Sequence, residues 1–333
     1  MKLQMPDLSG KTILITGGTG SFGRALTRCL LDEFDPAAVR ILSRDEWKQS
    51  QMRADFSDDP RLRFLIGDVR DLDRLRLAFR GVDLVVHAAA LKQVPACEYN
   101  PFEAVQTNVI GAENVLRAAI DVGVPKVVAL STDKAVNPAN LYGATKLCAE
   151  KVFVQAQAYA SDTTTRFACV RYGNVVGSRG SVVLLFLEQA KSGVLTITDE
   201  RMTRFWITLE QSVYFVLSRV EVMQGGEVFI PKIPSMKVTD IADLIAPEAD
   251  RKVIGIRPGE KIHESLLMRD EARHAVEIED SFVILPLLPV AADHGGTPLP
   301  DGFEYRSDNN PTWLTPEEFL EAVEQLKRHL PAG

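Results

Sequence analysis

A doubly wound α/β fold, a parallel sheet covered on both faces by helices, is predicted by three observations. Short apolar runs alternate with helical periods over the first two-thirds of the 333-residue chain, as strand–helix–strand units require. The first run ends in a glycine-rich turn, Thr16-Gly17-Gly18-Thr19-Gly20-Ser21-Phe22-Gly23, that opens a helical period. Hydrophobic content of 46% and charged content of 25% are globular averages, and the length suits one large domain with a smaller appendage.

Strands are expected at Thr12–Thr16, Val39–Ser43, Phe64–Gly67, Leu84–Ala88, Val127–Ser131 and Phe167–Arg171. Between the first two, Phe22, Ala25, Leu26, Cys29, Leu30 and Phe34 recur at helical spacing. Val105, Val109, Ala112, Val115, Leu116 and Ala119 mark another helix before the fifth strand. After about Gly173 the alternation fades. Thr208 to Gln211 reads as a capping box opening a helix, a strand is expected near Val228–Ile230, and a helix from about Thr239. Pro286–Pro311 is rich in proline, glycine and aspartate and reads as a loop or extended crossing. Thr315-Pro-Glu-Glu318 combines a capping box with proline in the first turn of a terminal helix. The boundaries expected are a dinucleotide-binding core over residues 1–175 and a substrate-binding part over 176–333, with some strands and helices returning to the core.

A net charge of −7 argues against general affinity for nucleic acid. No apolar run approaches the ~18 residues of a membrane span, and the N-terminus lacks the apolar centre of a signal peptide; a cytoplasmic protein is expected. Cys29, Cys97, Cys148 and Cys169 are scattered, without metal-ligand spacing. They read as buried thiols, and no protein metal site is expected.

The glycine turn sits where a Rossmann-like fold binds a pyrophosphate. Gly17 permits the sharp turn, Gly20 the close approach of backbone to phosphate, and Gly23 the packing of helix on strand. Thr19, Ser21 and Phe22 complete the turn, and the helix start offers unpaired N–H groups to phosphate. At the end of the second strand, where NAD binders usually place an acid, stands Ser43-Arg44-Asp45-Glu46-Trp47-Lys48. Ser43, Arg44 and Lys48 suit a 2′-phosphate, which favours NADP; on the other reading Arg44 is a solvated charge and Asp45 takes the ribose. Asp68 suits an adenine contact, and Ala88 with its small neighbours suits close cofactor approach. Val69, Leu130, Ser131 and Val175 are added to the cofactor set, with Lys92 near the nicotinamide. Asn108 reads equally as structural or as a water ligand.

Tyr142 and Lys146, four apart, share one helix face. The ammonium suits the nicotinamide ribose and lowers the phenol pKa, so that Tyr142 exchanges a proton with a substrate oxygen. Thr132 supplies a further hydrogen bond to that oxygen. Asp133 and Lys134 add a second proton donor and acceptor, which alcohol oxidation alone does not need.

These motifs occur together with Ser131-Thr-Asp-Lys-Ala-Val-Asn-Pro138, Arg171-Tyr-Gly-Asn174, Met202-Thr-Arg-Phe-Trp-Ile-Thr208 and Arg257-Pro-Gly-Glu-Lys261. The combination resembles the inverting UDP-N-acetylglucosamine 4,6-dehydratases, extended short-chain dehydrogenase/reductase enzymes that begin pseudaminic acid biosynthesis. Lysine at 134 and tyrosine at 142 favour the soluble subgroup over larger membrane-anchored relatives; Val136, where several relatives have alanine, departs from the pattern. The resemblance implies NADP-dependent removal of water from UDP-N-acetylglucosamine, giving UDP-2-acetamido-2,6-dideoxy-beta-L-arabino-hexos-4-ulose. It implies that Tyr142 deprotonates the sugar 4-hydroxyl, Lys134 takes the C5 proton, and Asp133 protonates the departing 6-hydroxyl. C5 is then reprotonated from the opposite face. Substrate contacts by resemblance are Lys92, Asn174, Arg179, Gly180, Ser181, Val182, Val183, Thr198, Arg257 and Glu260, and a homo-oligomer, dimer or hexamer, is implied. The rival readings are another nucleotide-sugar dehydratase or 4-epimerase on the same scaffold, and a non-enzymatic NADP sensor.

Overall fold

The computed structural model describes residues 4–160, 164–178, 180–287 and 293–329. From the N-terminus come β1 (Thr12–Thr16), α1 (Ser21–Glu33), β2 (Ala38–Ser43), α2 (Glu46–Asp55), β3 (Leu62–Ile66), α3 (Leu72–Phe79) and β4 (Leu84–His87). They are followed by α4 (Val94–Tyr99), α5 (Pro101–Val105), α6 (Gly111–Val122), β5 (Lys126–Thr132), α7 (Leu141–Gln155) and β6 (Arg166–Tyr172). Each expected strand of this half is present, shifted by at most two residues at an end. Ile13, Leu14 and Ile15 of β1 are fully buried, because helices cover both faces of a parallel sheet and leave no polar side to alternate with.

The remaining elements are β7 (Asn174–Val175), α8 (Val182–Gln189), β8 (Val194–Ile197), β9 (Thr203–Ile207), α9 (Leu209–Val222), β10 (Glu227–Pro231), β11 (Ser235–Lys237), α10 (Val238–Ile245) and β12 (Asp250–Val253). Then come β13 (Ser265–Leu267), α11 (Arg269–Ala272), β14 (Ala275–Glu277), β15 (Ser281–Ile284), β16 (Thr297–Pro298), β17 (Tyr305–Arg306) and α12 (Pro316–His329). The main sheet has the order β16-β14-β15-β10-β6-β5-β4-β1-β2-β3. From β3 to β10 neighbours are parallel; β15, β14 and β16 continue it antiparallel. Chain order reverses between β1 and β4, and the strand ends there open the crevice in which such sheets bind nucleotides.

The helix expected from Val105 is interrupted. A π-helical turn, Gln106–Ile110, separates α5 from α6. Asn108 lies in it, buried, and clamps the loop after β4: Oδ1 accepts from Leu91 N at 2.8 Å and Nδ2 donates to Leu91 O at 2.9 Å. Nδ2 also reaches Thr145 Oγ1 at 3.0 Å, so the amide's protein contacts brace the loop after β4 against α7.

A second apolar cluster joins α8, β8, β9, α10 and α12 around Phe186, Leu195, Trp206, Ile241 and Phe319. Both capping boxes form: Thr208 with Gln211 at α9, and Thr315 with Glu318 at α12. Of the two expectations for Pro286–Pro311, loop or extended crossing, the described part takes the extended form in places, contributing β16 to the main sheet and β17 to a pairing with β13. Residues 288–292 of it lie outside the described residues. Two-residue pairings carry no periodicity for a sequence to display, and Tyr305 is held by its hydroxyl, which donates to Ile233 O at 2.8 Å. Among the described residues no helix is long and apolar enough to cross a membrane. Of the cysteines, Cys97 and Cys169 are buried as expected, whereas Cys29 is half-buried and Cys148 exposed on α7.

Candidate active site

A cavity of about 740 Å³ runs along the crevice, from the glycine turn to the segment around Arg257–Glu264. At its nucleotide end Gly17 has φ of +65°, and a Cβ there would lie 2.9 Å from the Ala89 backbone; only glycine fits. Gly17, Thr19, Gly20, Ser21, Phe22 and Gly23 all line the cavity. Gly20 caps α1 without a side-chain hydrogen bond, leaving first-turn amides to an anion. This open, positively polarised turn fits a dinucleotide pyrophosphate.

Ser43, Arg44, Asp45, Lys48, Asp68, Val69 and Ala88 also line the cavity, and Glu46 does not. Asp45 is the N-cap of α2: Oδ1 accepts from Lys48 N at 3.0 Å, and Lys48 Nζ lies 2.9 Å from Oδ2. The Lys48 hydrogen bonds hold its carboxyl below the ordinary range. Arg44 Nη1 stands 3.7 Å from Asp68 Oδ2, while Asp68 is bound closely by Arg70, with Arg70 Nη2 at 2.7 Å from Oδ2. Thus both acids that line this part of the cavity, Asp45 and Asp68, are already engaged with neighbouring cations.

At the reacting end, β5 runs into a single 3-10 turn, Asp133–Ala135, and α7 begins after Asn140, whose Oδ1 accepts from Gly143 N at 2.8 Å. A Cβ on Gly143 would lie 2.1 Å from Lys134 O; glycine lets the helix sit directly on the turn. That approach gathers Thr132, Lys134, Tyr142 and Lys146 along one wall, beside Leu130 and Ser131. Lys146 Nζ donates to Leu130 O at 2.7 Å, and burial lowers its pKa. Burial pushes the Tyr142 phenol up to about 12, against the opposing Lys134 cation and Thr132 hydroxyl. The cation that opposes this rise is Lys134 and not the Lys146 expected from the sequence, and removal of the phenol from water outweighs it.

Lys134 Nζ donates to Asp133 Oδ1 at 2.9 Å and Asn174 Oδ1 at 3.0 Å, and lies 3.6 Å from Glu264 Oε1. Desolvation pulls its pKa down, but Asp133 and Glu264 prevail and the net shift is upward. Asp133 is fully buried, does not line the cavity, and receives the Thr132 hydroxyl at 2.9 Å on the same Oδ1. Its Oδ2 is buried without a hydrogen-bond partner.

Of the candidate substrate contacts, Lys92, Asn174, Gly180, Ser181, Val182, Thr198, Arg257 and Glu260 line the cavity, as does Val175 from the cofactor set. Val183 does not; it is buried in the second apolar cluster. Arg179 lies outside the described residues. Sequence reasoning missed Glu264, Arg204, Lys261, Asn140 and Tyr172, which also line the cavity. Arg204 and Lys261 stood inside quoted motifs without a role, whereas Glu264 had no local signal. Among the described residues no cluster of histidine, cysteine and acids is suited to a metal.

The family profile described as "Polysaccharide biosynthesis protein" matches residues 13–286. A UDP-N-acetylglucosamine 4,6-dehydratase (inverting) of Campylobacter jejuni subsp. jejuni is 52% identical over 325 residues, covering 94% of this chain and 97% of that protein. A UDP-glucose 4-epimerase of Rickettsia conorii is 47% identical, covering 82% of each. The X-ray structure of Pen from Bacillus thuringiensis superposes with a TM-score of 0.88 at 39% identity, over 96% of this chain and 100% of that one. A dTDP-glucose 4,6-dehydratase from Streptomyces venezuelae, solved with NAD and TYD bound, shares the fold at TM-score 0.66 and 23% identity, over 75% and 86%. With a match spanning most of its length, the chain belongs to the polysaccharide biosynthesis protein family.

Proposed function

We propose that the chain is an inverting UDP-N-acetylglucosamine 4,6-dehydratase that works with NADP. The observation that carries the reading is the gathering of Thr132, Lys134, Tyr142 and Lys146 at one end of a cavity whose other end is a phosphate-binding turn, with Asp133 buried behind Lys134 and bonded to it. The 52% identity to a dehydratase of that name supports the substrate.

A bound nicotinamide dinucleotide supplies the acceptor, and later the donor, of the hydride. Gly17 to Gly23 and the start of α1 hold its diphosphate, and Lys146, fixed on Leu130 O, orients its ribose. NADP is supported over NAD because Asp45 is spent on capping α2 and on Lys48, while Arg44 stands half-exposed at the rim.

Tyr142 Oη accepts the proton of the sugar 4-hydroxyl as C4 becomes a ketone. The ketone acidifies C5, and Lys134 Nζ takes the C5 proton. Asp133 delivers a proton to O6, which leaves as water, and Oδ2 is the carboxyl atom with no competing partner. A hydride then enters C6 and a proton enters C5 from the opposite face, so one water is lost overall. Thr132 and Tyr142 donate to the enolate oxygen between these steps. Lys134 must shed a proton before serving as base, Asp133 Oδ1 at 2.9 Å accepts it and so gains the proton that goes to O6, and desolvation by bound sugar acts in that direction.

The same reading assigns residues 1–175 to the cofactor and 176–333 to the sugar nucleotide. It places the enzyme in the cytoplasm, where both small molecules are found, as a homo-oligomer. Tyr99 and Phe102, largely exposed on α4 and α5, support self-association.

A second reading, nucleotide-sugar 4-epimerase, is favoured by the Rickettsia relatives. Incubation with UDP-N-acetylglucosamine and NADP in deuterated water separates the two by mass and NMR. Loss of one water with deuterium at C5 supports the dehydratase; a stereoisomer of unchanged elemental composition supports the epimerase. Tight NADP binding without turnover of any nucleotide sugar returns the sensor reading.

A further inference from the structure

Glu264 is a buried carboxylate to which the steps above give no task. It sits on a segment laced to the Asp133–Val136 turn. Lys261 Nζ donates to Val136 O at 2.8 Å, Asn140 Nδ2 donates to Gly259 O at 2.8 Å, and Glu264 Oε1 faces Lys134 Nζ at 3.6 Å. The segment is also held from behind: Arg204 donates to Lys261 O at 2.9 Å and Ile262 O at 2.8 Å, and Glu264 N pairs with Ser307 Oγ at 3.0 Å. Glu264 therefore has little freedom to leave Lys134, and at 4% exposure water screens the pair weakly.

We propose that Glu264 is a positioning residue that sets the place and the protonation of Lys134. The inference rests on the assignment of Lys134 as C5 base. The charged and titratable groups around Lys134 are Asp133 on its own turn, Tyr142 on α7, Arg204 on β9, and Glu264 with Lys261 on the strap. Asn174 on β7 adds a neutral acceptor. Asp133 alone would fix Lys134 from one side. Glu264 approaches from another chain segment, the one that also carries the candidate substrate contact Arg257 on the cavity wall. It thereby ties the charge of the base to the part of the chain that receives the nucleotide. Lys134 itself, and after it Arg204 and Lys261, keep Glu264 in the anionic form, holding its carboxyl below the ordinary range in spite of burial. An anion at this distance favours the ammonium, so Glu264 keeps Lys134 charged until sugar enters.

The test compares wild type with Glu264→Gln and Glu264→Asp, checked for equal circular dichroism and equal NADP affinity. Protonation of Lys134 is read without catalysis, from the pH dependence of its labelling by limiting acetic anhydride in peptide mass spectra. Glu264→Gln is expected to lower the labelling midpoint by about 1 pH unit, and to move the acidic limb of kcat by a similar amount in the same direction. Glu264→Asp, which keeps the charge, is expected to recover most of the shift. An unchanged midpoint in Glu264→Gln, or equal drops in both variants, overturns the proposal. The base assignment fails separately, if Lys134→Ala retains C5 deuterium exchange while the Glu264→Gln midpoint still moves.

Discussion

Two clusters that pair acids with cations lie near the C-terminal ends of β5 and β6, and they are built to different ends. In the first, Arg171 of β6 is fully buried between Glu150 of α7 and Glu271 of α11. Arg171 Nε reaches Glu150 Oε2 at 3.0 Å, its two terminal nitrogens reach Glu271 at 2.8 and 2.9 Å, and Leu266 O takes another bond at 2.9 Å. Ser131 Oγ also donates to Glu150. In the second, Asp133, Lys134 and Glu264 meet at the cavity wall with longer contacts and an unpartnered Asp133 oxygen. The saturated cluster fixes β5, α7 and the C-terminal elements relative to one another. The unsaturated one sets Lys134 on the cavity wall and leaves one Asp133 oxygen behind it without a hydrogen bond. Burial alone does not distinguish the two clusters; the number of bonds left unmade does.

The largest expected effect breaks the saturated cluster. Arg171→Ala leaves two carboxylates facing each other in the interior and is expected to cost about 3–5 kcal/mol in urea unfolding. A loss under about 1 kcal/mol would erase the contrast. Next, Lys134→Ala is expected to lower C5 deuterium exchange and turnover at least about a hundredfold with little change in stability. Undiminished exchange would assign the base elsewhere.

A third comparison uses a cation at the open rim. Arg44→Ala is expected to weaken NADP about tenfold while leaving NAD binding nearly unchanged, as calorimetry would show. Equal losses for both dinucleotides would remove the 2′-phosphate assignment. The smallest effect is expected at Glu271, the most exposed member of the saturated cluster. Its carboxyl, buried yet held by Arg171, titrates below its ordinary value of 4.5. Its contribution is therefore fully present above pH 4.5 and is lost as pH falls through the lowered folded value. Glu271→Gln is expected to cost about 1 kcal/mol at pH 7 and less near pH 3, which urea midpoints at the two pH values would test.

Legibility in the sequence followed the same division. The sheet was readable because each parallel strand is a local apolar run and each covering helix a local period. The glycine turn was readable because its steric demand lies within eight residues. Tyr142 and Lys146 were readable because one helix places them together. The π-helical turn at Gln106–Ile110 was not, since Asn108 is drawn into it by Leu91, whose position depends on β4. Glu264 was not, because it meets Lys134 from 130 residues away along the chain. Glu46 and Val183 stood within motifs yet do not line the cavity, since neighbours in sequence need not face the same way.

The sequence by itself determined the doubly wound sheet, the phosphate-binding turn and the identity of the groups that could move a proton. Their causes are local: backbone sterics, helical period and residue chemistry. Tertiary structure decided which of those groups touch, and hence their charge. It raised the Tyr142 phenol by burial and set a second carboxylate on Lys134. It also left one oxygen of Asp133 without a partner. Protonation depends on desolvation and on charges a few ångströms away, and those distances exist only once the chain has closed on itself.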